Sequence, residues 1–161
     1  MRAGVLTVSD GVSEGTREDR SGDVLGELLS AEGFEVERRV VPDERDAIAA
    51  EIVAMSDNVQ LVLTTGGTGL GPRDVTPEAT MQVLDRVAPG IAEAIRADSI
   101  AKTPHGLLSR GMAGTVGSAL VVNLAGSPGA CRDGYEVLKP ALPHALKLLA
   151  DQTTATDHVH T

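Results

Sequence analysis

Short apolar runs rich in Val and Leu recur at 4–8, 34–41, 60–64 and 119–124, each with the length and composition of a strand. A weaker run at 114–116 is positioned to pair with the last of them. Between the runs the apolar spacing turns helical. Leu25, Leu28 and Leu29 fall at i, i+3 and i+4 ahead of Gly33, and Ile48, Ile52 and Met55 at i, i+4 and i+7. Thr76, Pro77 and Glu78 read as N-cap, first-turn proline and an acid near the positive helix end. Ile91 and Ile95 belong to a further helix running toward Thr103-Pro104. A last helical pattern spans 128–149 and breaks near Pro140 and Pro143. Strand and helix alternate, which predicts an α/β layered domain over 1–150. The nearly continuous apolar run VQLVL suits a strand covered on both faces, so the sheet is expected to be mainly parallel. The segment 151–161 is small and polar and is predicted to be a disordered tail. Its His158 and His160 fit a frayed end better than a metal pair.

Composition narrows the function classes. The 161 residues are 42% hydrophobic and 23% charged, enough apolar material for one buried core. No run reaches the roughly 18 apolar residues of a membrane span, and the first ten residues lack a charged-then-apolar leader. With one cysteine, Cys131, no internal disulfide can form; the expectation is a cytoplasmic protein and a packing role for the thiol. A formal charge of −9 argues against wrapping nucleic acid, and one Tyr, one Phe and no Trp leave little on which bases could stack. An anionic small ligand would need backbone amides, a few local arginines or a divalent cation. Glycine, 18 residues, exceeds the usual share, and no repeat accounts for it.

The excess sits in the loops. Strands one, two, three and the last are followed by SDGVSEGTREDRSG, VPDE, TGGTGLGPRD and AGSPG. In an open parallel sheet such loops share one edge, where ligands bind. Gly66, Gly67 and Gly69 serve either a plain turn or a cradle whose bare amides close around phosphate oxygens. It is neither a P-loop, which needs Gly-Lys-Ser/Thr where Gly71-Pro72-Arg73 stands, nor GxGxxG, since Pro72 occupies the third glycine. Ser127-Pro128 fits an N-cap pair and equally an anion site. Asp43 fits both a cap for the helix carrying Ile48 and a metal ligand. Asp74 has no capping role if Thr76 is the cap, and Arg73 beside it is suited to neutralise phosphate. Two carboxylates on loops at one edge suit a divalent ion bridging phosphate oxygens.

GGTGLGPRDVTPEAT closely resembles the signature of the MoaB/Mog family, the molybdopterin adenylyltransferases of molybdenum cofactor synthesis. LTVSD, DRSG, VVPDE, TPHGLLSRGMAG and NLAGSPGA extend the likeness over all but the tail. Ala125 departs from it, standing where many members have proline. The resemblance implies a three-layer α/β/α fold, a homotrimer, and transfer of AMP from ATP to molybdopterin with magnesium, releasing pyrophosphate. It implies Asp43 and Asp74 at the metal and phosphates, and Gly66, Gly67, Thr68 and Gly69 in the nucleotide cradle. Ser127 matches a ligand-contacting serine; Ser9, Asp10, Asp19, Ser21, Ser109 and Arg110 match the remaining motifs. It also implies hand-over to a molybdenum-inserting protein. The rival readings are a non-catalytic molybdopterin-binding protein and a trimeric scaffold module.

Overall fold

The structure, a computed structural model, describes residues 1–157. Six strands form one sheet: β1 (Arg2–Val8), β2 (Glu35–Val41), β3 (Leu61–Thr65), β4 (Arg86–Val87), β5 (Ala113–Val116) and β6 (Ala119–Leu124), in the order β2-β1-β3-β6-β5-β4. The pairs β1–β2, β1–β3 and β3–β6 are parallel, and β5 and β4 continue the sheet antiparallel. Every residue of β3 and β6 is buried, as a strand covered on both faces requires. Edge strand β2 instead carries Glu35, Glu37, Arg38 and Arg39, charges that discourage pairing with another chain.

The helices are α1 (Asp10–Ser13), α2 (Arg20–Ala31), α3 (Arg45–Ser56), α4 (Thr76–Val83), α5 (Pro89–Lys102), α6 (Pro128–Leu138) and α7 (Leu142–Asp157). Side chains alternate across a strand, and the core divides accordingly. Val5, Leu63 and Val122 meet Leu25, Leu29, Tyr135 and Leu146 of α2, α6 and α7, with Ile91 and Ile95 of α5 at the margin. Leu6, Val62 and Val121 meet Ile48, Ile52 and Met55 of α3 and Ala79 of α4. The result is the three-layer α/β/α arrangement. Among the described residues, no helix is long and apolar enough to cross a membrane.

Three expectations change. The two-residue β4 carries no apolar pattern of its own and exists through its pairing with β5. Helix α7 runs on to Asp157, so 151–157 are helical where a disordered tail was expected. No glycine or proline follows Pro143 to stop the helix, and Gln152 accepts a hydrogen bond from Arg86 at 3.3 Å. His158 and His160 lie outside the described residues. Finally, Thr76 is not the cap of α4. Val75 holds that position without a side-chain bond, and the buried Thr76 hydroxyl instead donates to the Gly66 carbonyl at 2.9 Å.

That bond ends a buried polar chain behind the glycine loop. Asn123 Oδ1 accepts from the Met112 amide, while Asn123 Nδ2 donates to Thr64 at 2.9 Å and Thr80 at 3.0 Å. Thr80 then donates to the Thr76 carbonyl. Buried polar groups must find such partners or incur the full cost of desolvation. Cys131 supports the neighbouring loop: fully buried, its thiol donates to the Ala125 carbonyl at 3.3 Å, and burial pushes its pKa up to about 11. The expected packing role stands.

Thr76→Val keeps the shape but strands the Gly66 carbonyl. The expected loss is about 1–3 kcal/mol, read as a lower urea midpoint at unchanged slope, with Thr76→Ser restoring most of it. A midpoint equal to the parent's would mean that the carbonyl finds another partner.

Candidate functional site

Parallel register brings four strand ends to one edge: Val8 pairs with Val41, Thr7 with Thr65, and Thr65 with Leu124. From β1 the chain steps to one neighbour, β2, and later to the other, β3, so the strand order reverses there and leaves a crevice. A cleft of about 640 Å³ opens at this point. All four loops contribute to it: Ser9, Asp19 and Ser21 from the first, Asp43 from the second, Gly66, Gly67 and Asp74 from the third, Ser127 from the last.

Gly66 and Gly67 hold φ of 102° and 71°, which side-chain-bearing residues rarely adopt. Space forbids a side chain as well. A Cβ on Gly66 would lie 2.3 Å from the Val8 carbonyl oxygen, and one on Gly67 2.3 Å from the Thr76 hydroxyl. The backbone after β3 therefore turns flush against β1: the Gly66 amide donates to the Leu124 carbonyl at 3.2 Å, and the Gly67 backbone lies beside the cleft without a side chain to cover it.

Two long helices start at the cleft wall. Asp19 caps α2, accepting from the Gly22 amide at 3.0 Å, and Ser127 caps α6, accepting from the Ala130 amide at 3.2 Å. Ser9 caps the single turn of α1. The Asp19 carboxylate also accepts from Thr7 and, at 2.8 Å, from Arg38, so it is occupied in fixing the loop. Positive helix ends at α2 and α6 favour an anion between them.

The acids are arranged differently from the sequence reading. Asp43 does not cap α3; Glu44 holds that position without a side-chain bond. Asp43 and Asp10 instead exchange bonds, the Asp10 amide donating to Asp43 Oδ2 at 2.9 Å and the Asp43 amide to Asp10 Oδ1 at 3.0 Å. Burial raises the Asp43 pKa, reinforced by the negative charges of Asp10 and Asp74. Arg73 does not line the cleft. Its guanidinium forks onto Asp10 with both contacts at 3.0 Å, and that bond, followed by the Asp43 amide, lowers the Asp10 pKa. Asp74 does have a local structural role, since its Oδ2 accepts from the Gly71 amide at 2.8 Å and closes the turn.

Thr68, Gly69, Ser109 and Arg110 also lie outside the cleft wall. Because β5 runs antiparallel to β6, the segment before it returns to the same edge but behind the glycine loop. There the Arg110 amide donates to the Thr68 carbonyl, and its guanidinium to the carbonyls of Gly69 and Asp74 and to Glu78. The Ser109 carbonyl accepts from Arg96. These bonds brace the glycine loop from behind. Conversely, Arg17 lines the cleft and was missed. It forms no ion pair among the described residues, unlike Arg73. The only signal for it was its position in TREDRSG, between two loop motifs.

Two of the acids fit a magnesium ion. Among the described residues no three acidic, His or Cys side chains cluster tightly enough to enclose a metal. Asp43 and Asp74 each commit one oxygen, Oδ2, to a backbone amide. Two carboxylates with the remaining positions filled by substrate phosphates and water is how magnesium is commonly held, and the mutual repulsion at Asp43 is what a cation would relieve.

Residues 4–144 match the family described as "Probable molybdopterin binding domain". The chain is 41% identical over 154 residues to a molybdopterin adenylyltransferase of Helicobacter pylori (strain J99), covering 92% of this chain and 88% of that protein. It is 40% identical over 162 residues to the molybdenum cofactor synthesis protein cinnamon of Drosophila melanogaster, covering 98% of this chain but spanning only 27% of that protein. The crystal structure of the molybdopterin biosynthesis enzyme MoaB from Thermus thermophilus superposes with a TM-score of 0.86 at 46% identity, over 92% of this chain and 95% of that one. The chain belongs to the MoaB/Mog family of molybdopterin-binding domains.

Proposed function

We propose that this chain is a molybdopterin adenylyltransferase acting in molybdenum cofactor biosynthesis. An oxygen of the terminal phosphate of molybdopterin attacks the α-phosphorus of ATP. The bond from that phosphorus to the β-phosphate oxygen breaks, and its electron pair leaves with pyrophosphate. The observation that carries this reading is the composition of the cleft: a bare glycine turn, two helix N-termini and two carboxylates at one strand-order reversal. The first two favour phosphate; the carboxylates make sense beside phosphate only with a cation between. The relatives named above support the same chemistry.

In this reading the Gly67 amide and the start of α6 hold phosphate oxygens, and Arg17 supplies side-chain positive charge. Asp43 and Asp74 would hold magnesium, which when bound offsets charge on the phosphoryl oxygens and leaving group. The Asp10–Arg73 fork keeps Asp43 aimed and ties the first three loops together. With so few aromatic residues in the chain, pterin and adenine are gripped by backbone and aliphatic surface.

Asp74→Asn separates catalysis from architecture. Asparagine retains an oxygen for the Gly71 amide but loses the charge. Single-turnover adenylylation at saturating magnesium should fall by roughly 100-fold or more, with melting temperature and pterin binding near the parent's. Transfer within about threefold of the parent, less than one tenfold step in barrier terms, would return Asp74 to the turn alone. In steady-state adenylylation Arg17→Gln should raise the KM for ATP with a smaller effect on kcat; an unchanged KM removes Arg17 from the phosphate site. We further propose a homotrimer, in which exposed Val87, Ile100, Leu107 and Leu108 supply apolar surface for a second copy. Light scattering at micromolar concentration should return three chains, and a monomeric mass overturns it.

A further inference from the structure

The glycines of the third loop fall into two kinds. Gly66 and Gly67 hold positive φ, whereas Gly69 and Gly71 do not, so the backbone itself does not demand glycine at the second pair. Space does. A Cβ on Gly69 would stand 3.0 Å from Asp74 Oδ2, and one on Gly71 2.8 Å from the same oxygen. Both distances fall well inside ordinary van der Waals contact. The backbone could tolerate either side chain; the Asp74 carboxylate is what would have to move.

That carboxylate is held as well as housed. Its Oδ2 accepts from the Gly71 amide at 2.8 Å. Behind it, Arg110 Nε donates to the Gly69 carbonyl at 2.9 Å and Nη2 to the Asp74 carbonyl at 2.8 Å. One planar guanidinium therefore spans the segment 69–74 and fixes the separation of its ends. Arg110 is held in turn. Its amide donates to the Thr68 carbonyl, and Arg96 of α5 donates to the carbonyls on either side of it, Ser109 at 3.1 Å and Gly111 at 3.2 Å.

We propose that Gly69, Gly71 and Arg110 are positioning residues, which act on phosphoryl transfer by holding the Asp74 carboxylate where a divalent cation would meet it. The inference rests on the adenylyltransferase reading for its chemistry. Carboxylates that ligate metals are themselves fixed by hydrogen bonds, and loss of such support costs roughly 10–100-fold in metal affinity or activity.

Gly71→Ala sets one methyl against Asp74 Oδ2 and leaves every backbone bond in place. Manganese alone, titrated into the full chain, should selectively broaden the Asp43 and Asp74 amide signals in proton–nitrogen correlation NMR. Gly71→Ala should need roughly tenfold more manganese for the same broadening, at a melting temperature near the parent's. Single-turnover adenylylation by this variant should fall by a similar factor and recover in part at raised magnesium. In an Asp74→Asn background the alanine should add little, because the charge it displaces is already gone. Arg110→Lys, which keeps the charge without the fork, should behave as Gly71→Ala does. Parent-like manganese titration and transfer in folded Gly71→Ala overturn the positioning role. So does an equal loss with and without the Asp74 charge, which would place the effect elsewhere. Absence of adenylylation by the parent refutes the transferase reading and leaves the manganese titration to decide the positioning. Broadening that spares Asp74 in the parent overturns the inference directly.

Discussion

The hydrogen bond from Asn123 of β6 to Thr64 of β3 sits where the sheet has least freedom. The two residues are register partners, both buried, in strands apolar on both faces. A strand with one polar face has its register set by which side meets water; one covered on both sides lacks that cue. The Asn123–Thr64 pair supplies it. A slip of one residue would leave the amide and hydroxyl unsatisfied in the core, a cost that an apolar mismatch alone does not impose. Through Thr80 and Thr76 the same chain reaches the Gly66 carbonyl, so strand register and the shape of the glycine turn are held together.

The cleft above this network solves a charge problem. Around it this acidic chain neutralises most of its local side-chain charge internally. Arg73 is committed to Asp10, Arg38 to Asp19 and Asp23, Arg110 to Glu78 and loop carbonyls. Besides Asp43 and Asp74, what lines the cleft is fixed partial charge from two helix ends and the Gly67 backbone, with Arg17 and the Glu18–Arg20 ion pair. Fixed dipoles need no reorganisation when charge develops, and they are placed by the sheet rather than by flexible side chains.

The same helices give the molecule two ends of different character. At the strand C-termini, α2 and α6 present polar N-termini to a polar cleft; at the strand N-termini they close over Phe34, Leu142 and Tyr135. Both ends follow from antiparallel return of each helix along the parallel strands, with Leu25, Leu29 and Tyr135 packed in one core between them.

Local pattern alone determined the alternation of strands and helices, the parallel character of β3, the cap at Ser127, the stop at Gly33 and the shared edge of four loops. Each depends on neighbours a few residues apart, or on the handedness and direction rules of parallel sheets. The loop pattern also singled out Asp43 and Asp74, and both line the cleft. What no local reading could assign were partners brought from afar: Thr76 to Gly66 instead of its own helix, Arg73 to Asp10 across 63 positions, Arg110 to the loop it braces. Ser109 and Arg110 matched a motif yet lie behind the cradle, because the antiparallel course of β5 decides which side they approach from. Arg17 and the two-residue β4 carry no pattern at all. A side chain's type states what it can bond; only packing decides which of several competing partners is within 3 Å and sheltered from water, and that choice separated the residues that line the cleft from those that hold its loops.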